Sequence, residues 1–178
     1  MEQNMQRKSI IVFGSILLAG FSFTQVQAEG YVGASVGQAD IEDVDDTSIK
    51  LFGGYRSGAF GFEAAYHDLG KQSETDQFLG TASIEVTGIE LSAAGFLAAS
   101  NSFDLFGKIG LFIWDADLSL TGFPSVSDDG NDLMFGFGAQ FKPSQKFSIR
   151  AEYQITEIGL DGVDLDTDIL SIGAALHF

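Results

Sequence analysis

The chain of 178 residues has no cysteine and only two prolines. Without cysteine there is no disulfide framework, no thiolate metal site and no thiol nucleophile, so stability has to come from the network of strands. Cations are scarce too: nine Lys and Arg stand against 25 Asp and Glu, a formal charge of -16. Such acidity repels phosphate backbones, because nucleic-acid affinity depends on basic residues that release counterions, and DNA or RNA is excluded as a partner. Beyond Phe23 there is no long apolar run, so no later segment is suited to crossing a bilayer as a helix.

What is present is 45% hydrophobic residues, with 17 phenylalanines and 22 glycines. That content argues against a disordered polymer, and the length suits one domain. A strongly acidic chain with positive mean hydropathy must segregate its charge from its apolar surface. A membrane demands that segregation.

At the amino terminus, Arg7 and Lys8 precede the apolar run Ile10 to Phe23, and Val26-Gln27-Ala28 supplies tolerated residues before a cut. This reads as a cleavable signal peptide over residues 1–28, since the run is shorter than the roughly 20 residues of a spanning helix. The remaining domain is residues 29–178.

Eight segments alternate apolar with small or polar residues: 31–40, 47–56, 59–69, 83–98, 103–120, 131–142, 147–160 and 167–178. Three connections are tight, at Arg56 to Ala59, Ala99 to Ser102 and Lys142 to Lys146, and carry Gly, Asn, Ser and Pro. Four longer ones alternate with them. An even strand number with short and long connections in alternation predicts an all-β fold, an eight-stranded antiparallel up-and-down transmembrane β-barrel with both termini in the periplasm.

Period-two parity sorts each strand into two faces. One carries Val32, Ala34 and Val36; Ile49, Leu51 and Tyr55; Phe60, Phe62, Ala64 and Tyr66; Ile89, Leu91 and Ala93; Leu105, Ile109, Leu111 and Ile113; Leu133, Phe135, Phe137, Ala139 and Phe141; Ile149, Ala151, Tyr153 and Ile155; and Leu170, Ile172, Ala174, Leu176 and Phe178. None is charged, as a lipid-facing wall requires, because Lys or Arg at the midplane costs roughly 2–4 kcal/mol. Tyr55, Phe60, Phe103, Phe141 and Phe178 fall near the tight-turn end, where an aromatic girdle sits. The opposite parity holds Lys50, Glu63, Glu90, Lys108, Trp114, Gln140, Arg150 and Glu152, with charges that nearly cancel. A soluble lipocalin-like barrel would reverse the two faces; the signal peptide, the phenylalanine-rich face and the ending on Phe178 favour the membrane form.

Several stretches resemble the transmembrane domain of the OmpA family: Tyr31-Val32-Gly33-Ala34, Phe52-Gly53-Gly54-Tyr55, Gly61-Phe62-Glu63, Tyr66 to Gly70, Ile113 to Asp117, Arg150 to Gln154, and Leu170 to Phe178. They occur in the family's order across most of the chain. The resemblance implies that a lumen glutamate, here Glu63, pairs with lumen cations, here Arg150 and Lys108, and so blocks or gates a narrow water path, with Glu63 and Arg150 as the best candidate pair. Gln140 stands where the family pattern has a second carboxylate, a place that Glu90 or Glu152 would fill. The resemblance also implies the barrel-assembly machinery as a partner, reading the terminal Phe178. The peptidoglycan-binding domain of larger relatives is not expected in this chain.

An eight-stranded interior is just wide enough for side chains to fill it, and buried carboxylates need cationic partners. A static charge network is therefore the plain reading of Glu63, Glu90, Glu152, Lys108, Arg150 and Lys50, and a moving one makes a gate. His67 and His177 lie toward opposite ends of the barrel, so they share no metal or substrate, and both have lumen parity, whereas an acyl chain would approach a serine and its base from the lipid side; no enzymatic role and no cofactor are expected. Carboxylates gather in the segments 40–46 and 161–168, both read as outer loops. Asp164, Asp166 and Asp168 imitate the start of a calcium loop, but Ile169 and Ala175 stand where its glycine and closing glutamate belong. What is left is weak divalent-cation bridging to lipopolysaccharide phosphates. The expected function is a structural, outer-membrane barrel, monomeric, with a low-conductance gated pore; the alternative is a surface adhesin or receptor acting through acidic loops.

Overall fold

A computed structural model of the chain describes residues 28–41, 44–76, 80–120, 122, 125–160 and 163–178. The signal-peptide reading falls on residues outside this set, apart from Ala28, which opens the first strand. Eight strands follow in order: β1 (Ala28–Ile41), β2 (Val44–Ser57), β3 (Phe60–Asp76), β4 (Gly80–Ser100), β5 (Phe103–Leu120), β6 (Val126–Ser144), β7 (Phe147–Leu160) and β8 (Val163–His177). Each pairs antiparallel with the next, and β8 closes on β1, making a closed barrel. Closure pairs each strand on both sides through the middle of the barrel, as a lipid environment requires of a sheet, whereas at the opposite end β3 beyond Asp68 pairs with β4 alone and β6 before Met134 with β5 alone.

At the seam, the register runs from Tyr31 opposite His177 to Ile41 opposite Thr167. Gly30 and Phe178 extend it by exchanging backbone N–H···O bonds of 2.9 Å in both directions. The connections at the end that holds residues 28 and 178, here the near end, are tight turns. Gly58 adopts φ 64° in the β2–β3 turn, a left-handed conformation that favours glycine. Gly70, at φ 85°, sits at a bulge in β3 between Asp68 and Lys71, where a Cβ would come within 2.9 Å of the Thr47 carbonyl oxygen.

At the opposite, far end the structure corrects one expectation. The four long connections are largely strand: β1 and β2 stay paired to Ile41 and Val44, and β7 and β8 to Leu160 and Val163. The described residues of the acidic segments, 40–41, 44–46 and 163–168, therefore stand in strands, not loops. Asp164, Asp166 and Asp168 lie in β8 at alternate positions, so their backbones are about 6.6 Å apart in sequence steps of two, on an extended strand and not in a loop. The side chain of Asp164 lies outside the described set. Backbone pairing places Asp115 opposite Asp129, Asp166 opposite Glu157 and Asp168 opposite Asp40, forming an acidic collar on the outer side of the far end.

Parity is realised in space. Val32, Leu51, Phe62, Leu91, Ile109, Phe135, Ile155 and Leu170 are all exposed on the barrel exterior, as are Tyr55, Phe60, Phe103, Phe141 and Phe178 at the near end. The opposite parity is buried, and it is not mainly polar. Phe52, Phe96, Phe106, Phe112, Leu69, Met134, Ile158 and Ile169 fill the interior beside the charged groups.

Candidate functional site in the barrel interior

The middle of the interior is a cluster of three carboxylates and three cations from five strands. Glu63 from β3 is its centre. Its Oε2 accepts from Arg150 Nη1 at 2.5 Å and from the Tyr31 hydroxyl at 3.0 Å, while Oε1 accepts from Lys108 Nζ at 3.0 Å and lies 3.2 Å from Lys50 Nζ. Lys108 also donates to Glu90 Oε1 at 2.6 Å and touches Glu152 Oε1. Lys50 lies 3.1 Å from Glu90 Oε2 and 3.3 Å from Glu152 Oε1. All six side chains are buried.

Local sequence makes this crowding feasible. Gly136, across from Lys108, leaves space for its side chain, since a Cβ there would fall 2.9 Å from the lysine methylenes. Neutral groups complete the shell of Glu90: the Ser92 hydroxyl donates to Oε1 at 2.7 Å, and Gln154 Nε2 to Oε2 at 3.1 Å, where His67 Nε2 also lies at 2.9 Å. Arg150 rests its guanidinium on two aromatic faces, 4.1 Å from the Phe106 centroid and 5.1 Å from that of Phe52. Buried ions survive only when such partners offset desolvation.

All five residues singled out in the sequence, Glu63, Arg150, Lys108, Glu90 and Glu152, thus meet at one place. Gln140 is buried beside Arg150 in the backbone register, one layer nearer the termini, and the second carboxylate is supplied twice, by Glu90 and Glu152 on Lys108. Oxygens of Glu63, Glu90 and Glu152 lie within 4.8 Å of one another, a spacing that suits a metal ion. Here the ammonium groups of Lys50 and Lys108 hold the space between them.

Layers lie on either side of this cluster. Toward the termini, Asp104 accepts from Arg56 Nη1 at 2.5 Å and contacts Lys142 Nζ at 2.8 Å, with Arg56 over the Phe96 ring at 4.2 Å. Toward the far end comes an apolar layer around Phe112, Trp114, Met134 and Ile158. Its signal was in the sequence, since these residues share parity with the lumen charges, but attention to charge passes over it.

The two histidines are far apart and differently occupied, His67 on Glu90 and His177 on Ser148. The second pairing sets a serine beside a histidine: Ser148 Oγ and His177 Nε2 are 2.8 Å apart, and Glu29 Oε1 is 3.3 Å from His177 Nδ1. A nucleophile–base–acid arrangement of this kind needs substrate access. Ser148 is 0% exposed and does not line the cavity of about 570 Å³ at the near end, which His177 and Glu29 do. Ser148 and His177 form a buried hydrogen-bonded pair, with Glu29 as an ionic neighbour at the rim.

The model of the family described as "Outer membrane protein beta-barrel domain" matches residues 13–178. Outer membrane protein A of Escherichia coli O157:H7 is 25% identical over 195 residues, covering 98% of this chain and 55% of the relative; that of Salmonella typhi is 25% identical over 199 residues, 98% of this chain and 56% of its own. The chain therefore spans about half the length of these relatives. Among solved structures, Neisserial surface protein A superposes with TM-score 0.65 at 16% identity, covering 85% of this chain and 97% of that one. The amino-terminal barrel of Pseudomonas aeruginosa OprF gives 0.62 at 11% identity, covering 85% and 100%, and Yersinia pestis Ail, solved with the heparin analogue sucrose octasulfate, 0.59 at 18%, covering 85% and 97%. At these identities the structures speak for the fold alone, which the strand order, closure and the charge-free mid-barrel band of the exterior already describe. The chain belongs to the outer membrane protein β-barrel domain family, and it is an outer-membrane β-barrel of the OmpA-like type.

Proposed function

We propose that the protein serves chiefly as a structural barrel of the outer membrane, closed at rest by the Glu63 cluster and opening as a low-conductance pore when that cluster rearranges. The observation that carries this reading is that Glu63 is held at once by Tyr31, Lys108, Arg150 and Lys50. Ions held by so many partners block the lumen, and water and ions pass only when partners exchange. Glu90 and Glu152 offer Lys108 and Arg150 alternative acceptors, so an exchange does not strand a bare cation. The termini face the periplasm in this reading, after export by the leader ending at Ala28, and the acidic collar faces outward among lipopolysaccharide, whose phosphates divalent cations would bridge.

The test is single-channel recording of the refolded barrel in planar bilayers, with Glu63→Ala beside the parent and a heat-dependent gel shift confirming folding in both. Brief openings in the parent that become more frequent in Glu63→Ala support the gate. Folded barrels with identical, silent records would remove the pore and leave the structural role.

The collar supports a second reading, a surface receptor. Ail was solved with a sulfated sugar; here Asp115, Asp117, Asp129, Glu157 and Asp166 are exposed at the far end and would repel such a polyanion, so a surface ligand for this chain would be cationic. Loss of binding to cells or phage in Asp115→Asn with Asp129→Asn, in a barrel that still folds, would favour it.

A further inference from the structure

The interior layer beyond the charge cluster is complete enough to act on its own. Ala39, Leu69, Val86, Phe112, Trp114, Met134, Ile158 and Ile169 form one buried apolar cluster, and their strands are β1, β3, β4, β5, β6, β7 and β8. The wall therefore contributes from nearly its whole circumference. Phe112, Met134 and Ile158 are 0% exposed. Two glycines are cut to receive the rings: a Cβ on Gly88 would fall 2.3 Å from the Phe112 ring, and one on Gly130 2.5 Å from that of Trp114. Both rings thus lie against the facing backbone, on β4 and β6.

We propose that this layer is an apolar septum, a second barrier in series with the charge cluster, which breaks the water column at its own level; on its far side the Trp114 indole donates to Asp132 Oδ2 at 2.7 Å. The proposal rests on the reading of the barrel as a pore closed at rest and adds where the water column breaks. A small apolar cavity stays dry because water there finds too few polar partners, and hydrophobic constrictions close pores by dewetting. Breaking an ion pair at Glu63 leaves this layer untouched, so the cluster alone does not control the pore. The two barriers adjoin: the His67 and Phe112 rings meet edge to face, with centroids 5.3 Å apart, and Gln154 Nε2, which donates to Glu90, lies 3.0 Å from Met134 Sδ.

The chain has no cysteine, so one introduced thiol is a unique probe. In the folded parent background, Met134→Cys should react with a membrane-impermeant methanethiosulfonate about 100-fold more slowly than Lys71→Cys on the exposed far end, because reaction waits on local opening. In planar bilayers, Phe112→Ala should raise the frequency of openings about tenfold with the charge cluster intact, and its effect should multiply with that of Glu63→Ala. Ile158→Cys repeats the labelling should Met134→Cys fold poorly. Labelling of both septum thiols at the Lys71→Cys rate would overturn the septum, as would an unchanged opening frequency in Phe112→Ala where Glu63→Ala raises it. If no variant conducts, the pore reading fails, and thiol protection alone then decides whether the septum is dry.

Discussion

Lys108 and Glu90 face each other from neighbouring strands of the barrel wall, with the ammonium 2.6 Å from Oε1, and the same ammonium holds Glu63 at 3.0 Å. One cation thereby neutralises part of three carboxylates, since Glu152 touches it as well.

The charge balance follows from that arrangement. Lys108→Met should destabilise the folded barrel by about 3–5 kcal/mol, because it leaves a buried carboxylate without its counterion. Adding Glu152→Gln should recover a large part of the loss, the two effects failing to add because the groups touch. Urea unfolding in lipid vesicles measures both. Equal losses for the single and double variants would show that the cation acts by packing alone.

A lipid-facing wall makes a position-dependent prediction. Leu111→Arg, on the exposed mid-barrel surface, should cost about 2–4 kcal/mol in vesicles, whereas Asp117→Arg, in the collar, should cost no more than about 1 kcal/mol. Equal costs at the two sites would contradict the placement of the membrane around the Leu111 level.

Reading the chain by parity located the strands, the two faces and the five charged residues, because a period of two survives any uncertainty in strand ends. It failed at the far end. Residues 40–46 and 161–168 are rich in Asp, a poor strand former, and read as loops; for their described residues, backbone pairing with the adjoining strand, as between Asp40 and Asp168, overrides that local preference. It also missed contacts that strand register creates. Ser148 and His177 come together through the β7–β8 pairing, and closure at the β1–β8 seam adds Glu29. The apolar septum was visible as Phe112, Met134 and Ile158 on lumen parity, yet its meaning needed the fit of Phe112 and Trp114 against Gly88 and Gly130.

Glycines of the wall divide by what lies over them. A Cβ on Gly138 would fall 2.2 Å from the Ala151 carbonyl oxygen and 2.5 Å from the Phe106 ring, while the nearest atom to one on Gly95 is 4.0 Å away. Gly138→Ala should therefore lower stability by about 1–3 kcal/mol through overpacking, and Gly95→Ala should leave it unchanged or slightly raised. The midpoint of the heat-dependent gel shift ranks the two, and a loss at Gly95 equal to that at Gly138 would refute the steric account.

Phe178 separates assembly from stability. The residue is 78% exposed on the exterior, its ring lies over Gly30, and its hydrogen bonds in the seam are made by backbone atoms, in the paired bonds to Gly30. Phe178→Ala keeps both bonds. Refolded into vesicles, the variant should match the parent to within about 1 kcal/mol, the range of a surface change that leaves the ladder intact. In cells the expectation differs, because the terminal aromatic is proposed to be what the assembly machinery reads: the folded, heat-shifting form in the outer membrane should fall several-fold while unfolded chain accumulates in the periplasm. Equal levels of folded protein in cells would remove the aromatic from the assembly signal. A matching loss in vitro would instead make it a structural anchor of the β1–β8 seam.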